Sequence, residues 1–418
     1  MIHYITTHGI GNAWVAAELQ QMQTKGIPFV LHSLYAPHQN FFGSAWAQRI
    51  DRETRLIYPL PRLAFLMSLI LAPWLFGWAF WTALANALFG TRESLGIRIR
   101  VFWHLLVACH WARGLRGQPV HLIHAQWVHS AGSVAMYGAW LLGVPFSFTG
   151  HAADLFRDRT ALVDKVRRAA FIVCISEFHR DLYLSLGALP DQLITVYCGI
   201  DVHQFPYVER NRPARHILSV GRLVEKKGFH YLVDACAELQ RRGLTFFCTI
   251  AGNGPMGAAL QQQVEHLGLT GCVQVTNKAV MQEELPDLLA SADIYTQPCV
   301  WSHDNDVDGT PRTLMEAMAT GLPTVVTRIA GLPDLVDDGA AGLLVEPENV
   351  TELADGLTCL LTEAGPARRL GRLGRELMEQ RFDLDTCLDP LAEVFQHYLA
   401  IPAGIPGAEK HTPVETLA

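Results

Sequence analysis

The chain has 418 residues, a formal charge of -7 and a sequence pI near 6.2. That length exceeds one typical core and suits two α/β domains, and the acidic balance gives no bulk electrostatic support for nucleic-acid binding. The nine cysteines form no Cys-x-x-Cys pair and several sit in apolar runs, which reads as small core residues in a reducing cytoplasm rather than a disulfide framework.

Ile2–Thr6 reads as a first β-strand and lacks the charged start and long apolar run of a signal peptide. His8, Gly9, Ile10, Gly11 and Asn12 follow, then a helical pattern over 13–23. Strand, glycine loop and helix is the layout of a doubly wound α/β domain, in which glycines let backbone approach a ligand. A plain turn accounts for two loop glycines equally well. Strands are expected over 27–31 and 55–58.

Leu63 to Gly90 carries no charge over 28 residues and includes Trp74, Trp78, Trp81 and four phenylalanines. Length alone permits a transmembrane helix. A single span would part the first strands from their sheet partners, and Pro73 and Gly77 interrupt it. Two short helices are expected instead, packed as a hairpin or lying on a membrane surface. Residues 91–120 add Arg92, Arg98, Arg100, Arg113 and Arg116 against Glu93 alone. An aromatic apolar stretch beside a net-positive one suits an anionic membrane face; the alternative is a thick buried helical layer with solvated arginines.

Strands are expected over 120–124, 144–149, 171–175 and 193–197, with Gln126, Trp127 and His129 just past the first of these. Ser130 and Ser176 are placed to cap the helices that follow. The pattern breaks near 202–215, and a second α/β series begins at His216: strands at 217–220, 245–250, 273–275, 294–297, 324–326 and 342–345 alternate with helices. A final helix near 388–399 could return to the first domain, and 401–418 reads as a frayed tail.

Asp308 to Gly321 reads as a loop opening a helix at Thr310 and Pro311, with Leu314, Ala317 and Met318 on its apolar face and Gly321 at its C-terminus. Such a start offers N–H groups to an anion. Glu316 lies inside the helix, too far along to cap it. Arg222 and Lys227 follow a strand beside Gly221, where two cations can hold a diphosphate; the spacing is not a Walker A loop, and a solvated charged loop is the plain alternative. Gly252, Asn253 and Gly254 would lie on the same sheet edge. His151 and Asp154 follow a strand of the first domain. Asp304, Asp306, Asp308 and Gly309 match the opening of a calcium loop, but Met315 stands where the closing glutamate belongs, so no metal site is expected.

With these pieces in order, the chain resembles the retaining GT-B glycosyltransferases of family 4, closest in look to bacterial exopolysaccharide-building members. The resemblance covers roughly residues 1–400 and rests on 219–228, 251–255, 308–321 and the histidine loop 149–154. It implies an α/β GT-B fold: two Rossmann-like doubly wound domains facing across a cleft. The expected organisation is an acceptor-side domain over 1–205 with an apolar insert at about 61–116, a nucleotide-sugar domain over 206–385, a crossover helix at 386–400 and the tail at 401–418.

The same resemblance implies roles. His151 would contact the donor sugar near its C6 hydroxyl, Arg222 and Lys227 would neutralise the leaving diphosphate, and Glu316 would hold the ribose. Asp308 stands where the family usually has glutamate and would meet the sugar's ring hydroxyls. Gly11 and Asn12 would approach the donor phosphate or acceptor, where the family usually has a double glycine. Gly221, Gly252, Asn253, Gly309 and Thr310 would complete the donor site, and 277–280, including Lys278 and Val280, would border the base. The implied activity is transfer from a nucleotide-diphosphate sugar, with no cofactor, to a surface-glycan acceptor, lipid-linked and met at the inner face of the cytoplasmic membrane. Kept beside it are a soluble-acceptor transferase, a sugar-phosphate synthase or phosphorylase, and a non-catalytic GT-B scaffold.

Overall fold

The computed structural model describes residues 1–402 except 12, 38–43, 92–93, 158 and 211–212. Asn12, Arg92, Glu93 and most of the expected tail therefore lie outside the described residues. The chain divides into two compact units, Met1–Val196 with Leu388–Ala418, and Tyr197–Cys387.

The first unit is built on seven parallel strands: β1 (Ile2–Thr6), β2 (Phe29–Ser33), β3 (Arg55–Leu56), β4 (Leu122–Gln126), β5 (Phe146–Thr149), β6 (Phe171–Cys174) and β7 (Leu193–Thr195). Their order is β3-β2-β1-β4-β5-β6-β7. β1 lies near the middle, with Ile2 opposite Phe29 on one side and Leu122 on the other. All five of its residues are buried, as expected of a strand covered on both faces. The helices are α1 (Ala13–Thr24), α2 (Ala45–Glu53), α3 (Arg62–Phe76), α4 (Trp78–Phe89), α5 (Leu95–Leu115), α6 (Ser130–Leu142), α7 (Leu162–Arg168) and α8 (Glu177–Ser185).

Several local expectations shift and one holds. β2 starts two residues later than 27. Gln126 is the last residue of β4 rather than beyond it. Ser130 is the first residue of α6 and does not cap it; His129 holds that position without a side-chain bond. Ser176 does cap α8, accepting from His179 N.

The charge-free stretch forms two helices bent by 116°. Gly77, at φ 53, makes the break, whereas Pro73 sits inside α3. Positive φ is cheap only for glycine, so the turn forms there. Among the described residues no single helix is long and apolar enough to cross a membrane. Both helices pack on α5 and leave Trp74 and Trp78 each 78% exposed. Arg98, counted above with the surface cations, instead points inward: it donates to the Asn86 carbonyl at 3.3 Å and pairs with Asp164 at 3.5 Å.

The second unit repeats the plan with β8 (His216–Val220), β9 (Phe247–Ala251), β10 (Val273–Val275), β11 (Ile294–Gln297), β12 (Thr324–Thr327) and β13 (Leu343–Val345), in the order β10-β9-β8-β11-β12-β13 and all parallel. Its helices are α9 (Phe229–Arg241), α10 (Gly257–His266), α11 (Leu285–Ser291), α12 (Arg312–Ala319), α13 (Leu332–Leu335), α14 (Val350–Thr362), α15 (Ala364–Arg381) and α16 (Leu384–Cys387). The last helix, α17 (Asp389–Ala400), belongs to the first unit, where Phe395 packs edge-on against Tyr4 and Tyr398 stacks on Phe171.

Candidate functional site

In the second unit the strand order places β8 between β9 and β11, so the loops after all three open on one carboxyl edge. This is the edge at which doubly wound sheets bind ligands. A cleft of about 250 Å³ forms there, lined among others by Gly221, Arg222, Gly252, Asn253, Val280 and Glu316. Gly252 has φ 151, and a Cβ on it would collide with the Gly221 carbonyl. Gly252→Ala is expected to cost about 1–3 kcal/mol of stability, read by denaturant titration, because the two loops cannot then keep their approach.

Glu316 is 1% exposed on α12, one helical turn after Arg312, whose Nε donates to Oε1 at 3.0 Å. Burial raises its pKa, while Arg312 and a hydrogen bond from Gln282 oppose the rise. Thr313, the next residue of the same turn, donates to the Val220 carbonyl at 3.2 Å and accepts from Tyr295 Oη at 3.0 Å. The start of α12 is thereby tied to the ends of β8 and β11. The pocket-lining faces of Arg312 and Gln282 were not singled out in the sequence; the i,i+4 spacing of Arg312 and Glu316 was the available signal.

Beside Gly221 lies a cation–carboxylate cluster. Lys227 pairs with Asp308 Oδ2, and Lys226 bridges Asp308 Oδ1 and Asp306 Oδ2, each at 3.0 Å. Burial alone would lower the Lys227 pKa, but Asp308 overrides it and holds the ammonium above the usual lysine range. Burial alone would raise Asp308, and the two lysines hold it below the usual carboxylate value. Of the acids that matched a calcium loop, Asp306 and Asp308 are thus engaged by lysines and Asp304 accepts from Ser302 Oγ at 2.6 Å, and among the described residues no group of three or more His, Cys, Asp or Glu could hold a metal ion. Lys226, missed in the sequence, also pairs with Asp308, through the carboxylate oxygen that the motif lysine leaves open.

In the first unit the carboxyl edge carries the histidine loop. His151 N donates to Asp154 Oδ1 at 2.8 Å and Val128 N donates to Oδ2 at 2.6 Å, so Asp154 ties the loops after β4 and β5 together. Burial pushes Asp154 up to about 7 against these two bonds. Gln126 Nε2 donates to Glu18 Oε1 at 2.6 Å, which leaves its oxygen to face His151 Nε2 at 3.3 Å. His151 therefore carries its proton on Nε2 and presents Nδ1 as an acceptor. Burial brings its pKa down to about 3, so the ring is neutral near pH 7. Trp14 packs on it with ring centres 4.0 Å apart. Glu18 and Trp14 read in the sequence as ordinary positions of α1 and gave no signal of their own.

Residues 204–377 match the model for glycosyl transferases group 1, and residues 78–204 match that for glycosyltransferase family 4. The chain belongs to the family 4 glycosyltransferases. A glycosyltransferase named for colanic acid biosynthesis, WcaL of Salmonella typhimurium, is 34% identical over 44% of this chain and 45% of its own length. The amylovoran biosynthesis glycosyltransferase AmsK of Erwinia amylovora is 31% identical over 53% of this chain and 55% of its own. The chain thus spans about half the length of these curated relatives. The fold is that of a glycosyltransferase from Rickettsia africae, with a TM-score of 0.69 at 14% identity over 96% of this chain and 98% of that one. Anabaena HepE in complex with UDP gives 0.67 at 18% identity over 95% and 99%.

Within this family 4 chain, the expected site residues fall into three groups. Gly221, Arg222, Gly252, Asn253, Val280 and Glu316 share the second unit's cleft, with Lys227 adjoining Gly221 and Asp308 paired with Lys227. Lys278, Gly309 and Thr310 are not in that lining. Lys278 is exposed, and Gly309 is buried with its carbonyl accepting from Gly331 N at 3.1 Å. His151 and Gly11 lie in the first unit, where Gly11 N donates to the His8 carbonyl at 3.0 Å.

Proposed function

We propose that this chain transfers a sugar, with retention of anomeric configuration, from a nucleoside-diphosphate sugar to a lipid-linked surface-glycan acceptor at the inner face of the cytoplasmic membrane. The observation that carries the donor half is the convergence of buried Glu316, Arg222 and the Gly252 loop in one cleft beside Lys227. Glu316 accepts hydrogen bonds from the ribose hydroxyls with one oxygen already steadied by Arg312. Arg222 offers a planar fork to the diphosphate and Lys227 a compact charge. Lys227 shares Asp308 with Lys226, so an arriving diphosphate can draw on Lys227 while Lys226 keeps Asp308 ionised and in place.

Charge developing on the leaving phosphate would meet donors already oriented, which is usually a large catalytic contribution. Attack comes from the same face as departure, with the leaving phosphate oxygen helping to take the acceptor's proton. His151, neutral and held by Gln126 and Trp14, is assigned to a donor-sugar hydroxyl, which its Nδ1 accepts from. Asp308 is assigned to the sugar's ring hydroxyls.

The acceptor half is supported by the exopolysaccharide names of WcaL and AmsK and by the face of α3 and α4. Leu63, Trp74, Trp78 and Phe89 are each more than three-quarters exposed there. Arg113 reaches onto α3 at Ser68 Oγ, 3.2 Å away, and Arg116 lies 6.0 Å from the Phe76 ring centre. α3, α4 and α5 hold no acidic residue at all. An aromatic face with arginines and no acid suits an in-plane seat on anionic lipid, each cation contributing about 1 kcal/mol there.

Turnover of UDP-, GDP- and ADP-sugars, with and without bacterial lipid extract, tests the assignment. Slow donor hydrolysis that quickens with lipid is the expected result; no binding or turnover of any sugar nucleotide overturns it. Flotation with phosphatidylglycerol vesicles tests the membrane half. Trp74→Ser with Trp78→Ser is expected to reduce flotation roughly tenfold through lost apolar contact while nucleotide affinity is unchanged.

A further inference from the structure

We propose that a row of aromatic side chains in the first unit, His8, Tyr35, Tyr58 and Trp103, is the subsite for the saccharide of a lipid-linked acceptor. It deepens the acceptor half of the function above and rests on that reading.

The row is a product of strand order. β1, β2 and β3 are adjacent and parallel, so the residues just beyond their carboxyl ends continue side by side. Tyr35 N donates to the Thr7 carbonyl at 2.9 Å and Tyr58 N to the Leu34 carbonyl at 3.0 Å. Ser33 Oγ fixes the turn, accepting from Gly9 N and donating to the Tyr35 carbonyl, both at 2.6 Å. Tyr35 and Tyr58 therefore stack at 4.9 Å and 7°, which is the spacing of neighbouring strands. His8 lies against Tyr35 at 5.7 Å. Trp103, from α5, donates its Nε1 proton to Tyr58 Oη at 2.8 Å and packs on Phe65 of α3 at 5.7 Å.

Two features point to a saccharide. Tyr35 and Trp103 remain 46% and 43% exposed although both are already built into contacts. Large rings held in order yet left in water mark a surface kept for a ligand. The Tyr58 hydroxyl accepts from Trp103, and among the described residues nothing takes its own proton. A hexose matches both: its axial C–H face is apolar and packs on rings, and its hydroxyls accept from a phenol. The row contains no lysine or arginine, so a phosphate is not what it is built for.

Continuity with the apolar face decides the source of the saccharide. At one end the row reaches His8 and the glycine loop on the carboxyl edge. At the other it meets Phe65 of α3, the helix that also carries Leu66, Met67 and Ile70, all exposed. A glycan laid on the rings would have its lipid on the apolar helix.

Octyl glucoside, octyl galactoside and octyl mannoside, compared with the free hexoses, are suitable probes for the full chain, read by saturation-transfer NMR alongside nucleotide titration. At least one octyl glycoside is expected to bind roughly tenfold tighter than its free hexose, from burial of its chain. Tyr58→Ala and Trp103→Ala are expected to weaken that binding roughly tenfold without changing nucleotide affinity. Tyr58→Phe and Trp103→Phe keep the packing and are expected to weaken it roughly threefold through the lost hydrogen bond. Binding of none of the three glycosides overturns the proposal, as does equal binding by the alanine variants, or a free hexose that binds as tightly as its glycoside. A parent that binds nucleotide but no glycoside sinks the row alone. One that binds glycoside through the row but no nucleotide sinks the donor reading and leaves the row standing.

Discussion

Lys227→Met is expected to lower kcat for sugar transfer by roughly 10²–10³-fold, with a much smaller change in donor KM. The lysine is assigned to the charge that appears only as the glycosidic bond breaks, so its loss weighs on the transition state rather than on the bound donor. The variant also isolates catalysis from folding. Asp308 keeps Lys226 at 3.0 Å after the substitution, so its carboxylate, 14% exposed, is not stranded. Methionine reproduces most of the lysine stem. A thermal melt close to the parent's is therefore expected together with the fall in kcat, measured by single turnover with saturating acceptor. Unchanged single-turnover rates would remove Lys227 from the diphosphate site. A collapse of stability instead would mean that the lysine serves Asp308 alone.

The second large effect concerns Glu316. Glu316→Ala is expected to weaken nucleoside diphosphate binding roughly 10- to 100-fold, the scale of a lost hydrogen bond to a charged group. The carboxylate has the right ingredients: 1% exposure, one oxygen anchored by Arg312 at 3.0 Å, and a place in the same lining as Arg222 and Gly252. Comparing the nucleotide with its 2′,3′-dideoxy analogue separates ribose recognition from general damage. The parent should prefer the normal ribose strongly and the variant should show no preference. If the variant loses affinity equally for both, Glu316 is holding Arg312 and the cleft rather than the sugar of the nucleotide.

Much of this was legible along the chain because it is local. Strand β1 and the turn after it follow from a run of five residues and two glycines. The bend between α3 and α4 follows from a charge-free stretch with Gly77 in it, although Pro73 drew equal weight and did not break the helix. The α12 motif announced its apolar face through Leu314, Ala317 and Met318, all fully buried. Other expectations went wrong where a neighbour from elsewhere in the chain decided the matter. Arg98 counted as a surface cation until Asp164 of α7 was placed beside it. Ser130 looked like a cap, but the turn from β4 through Trp127, at φ 70, starts α6 in a way that puts the serine inside the helix.

The sequence by itself determined the alternation of strands and helices, the glycine turns that let loops meet, the inventory of acids and cations, and the apolar stretch that no soluble surface requires. Those properties depend on spacing within one strand or one helical turn. Only the tertiary structure decided partners. Lys226 and Lys227 meet Asp306 and Asp308 because β8 and β11 are neighbours in the second sheet. Tyr35 stacks on Tyr58 because β2 and β3 are neighbours in the first. Glu18 is a functional-looking acid, pushed up to about 7 by burial, only because α1 lies over Gln126 and Tyr4. Strand order is a long-range property, and a side chain's chemistry here follows from which strand ends the sheet sets side by side.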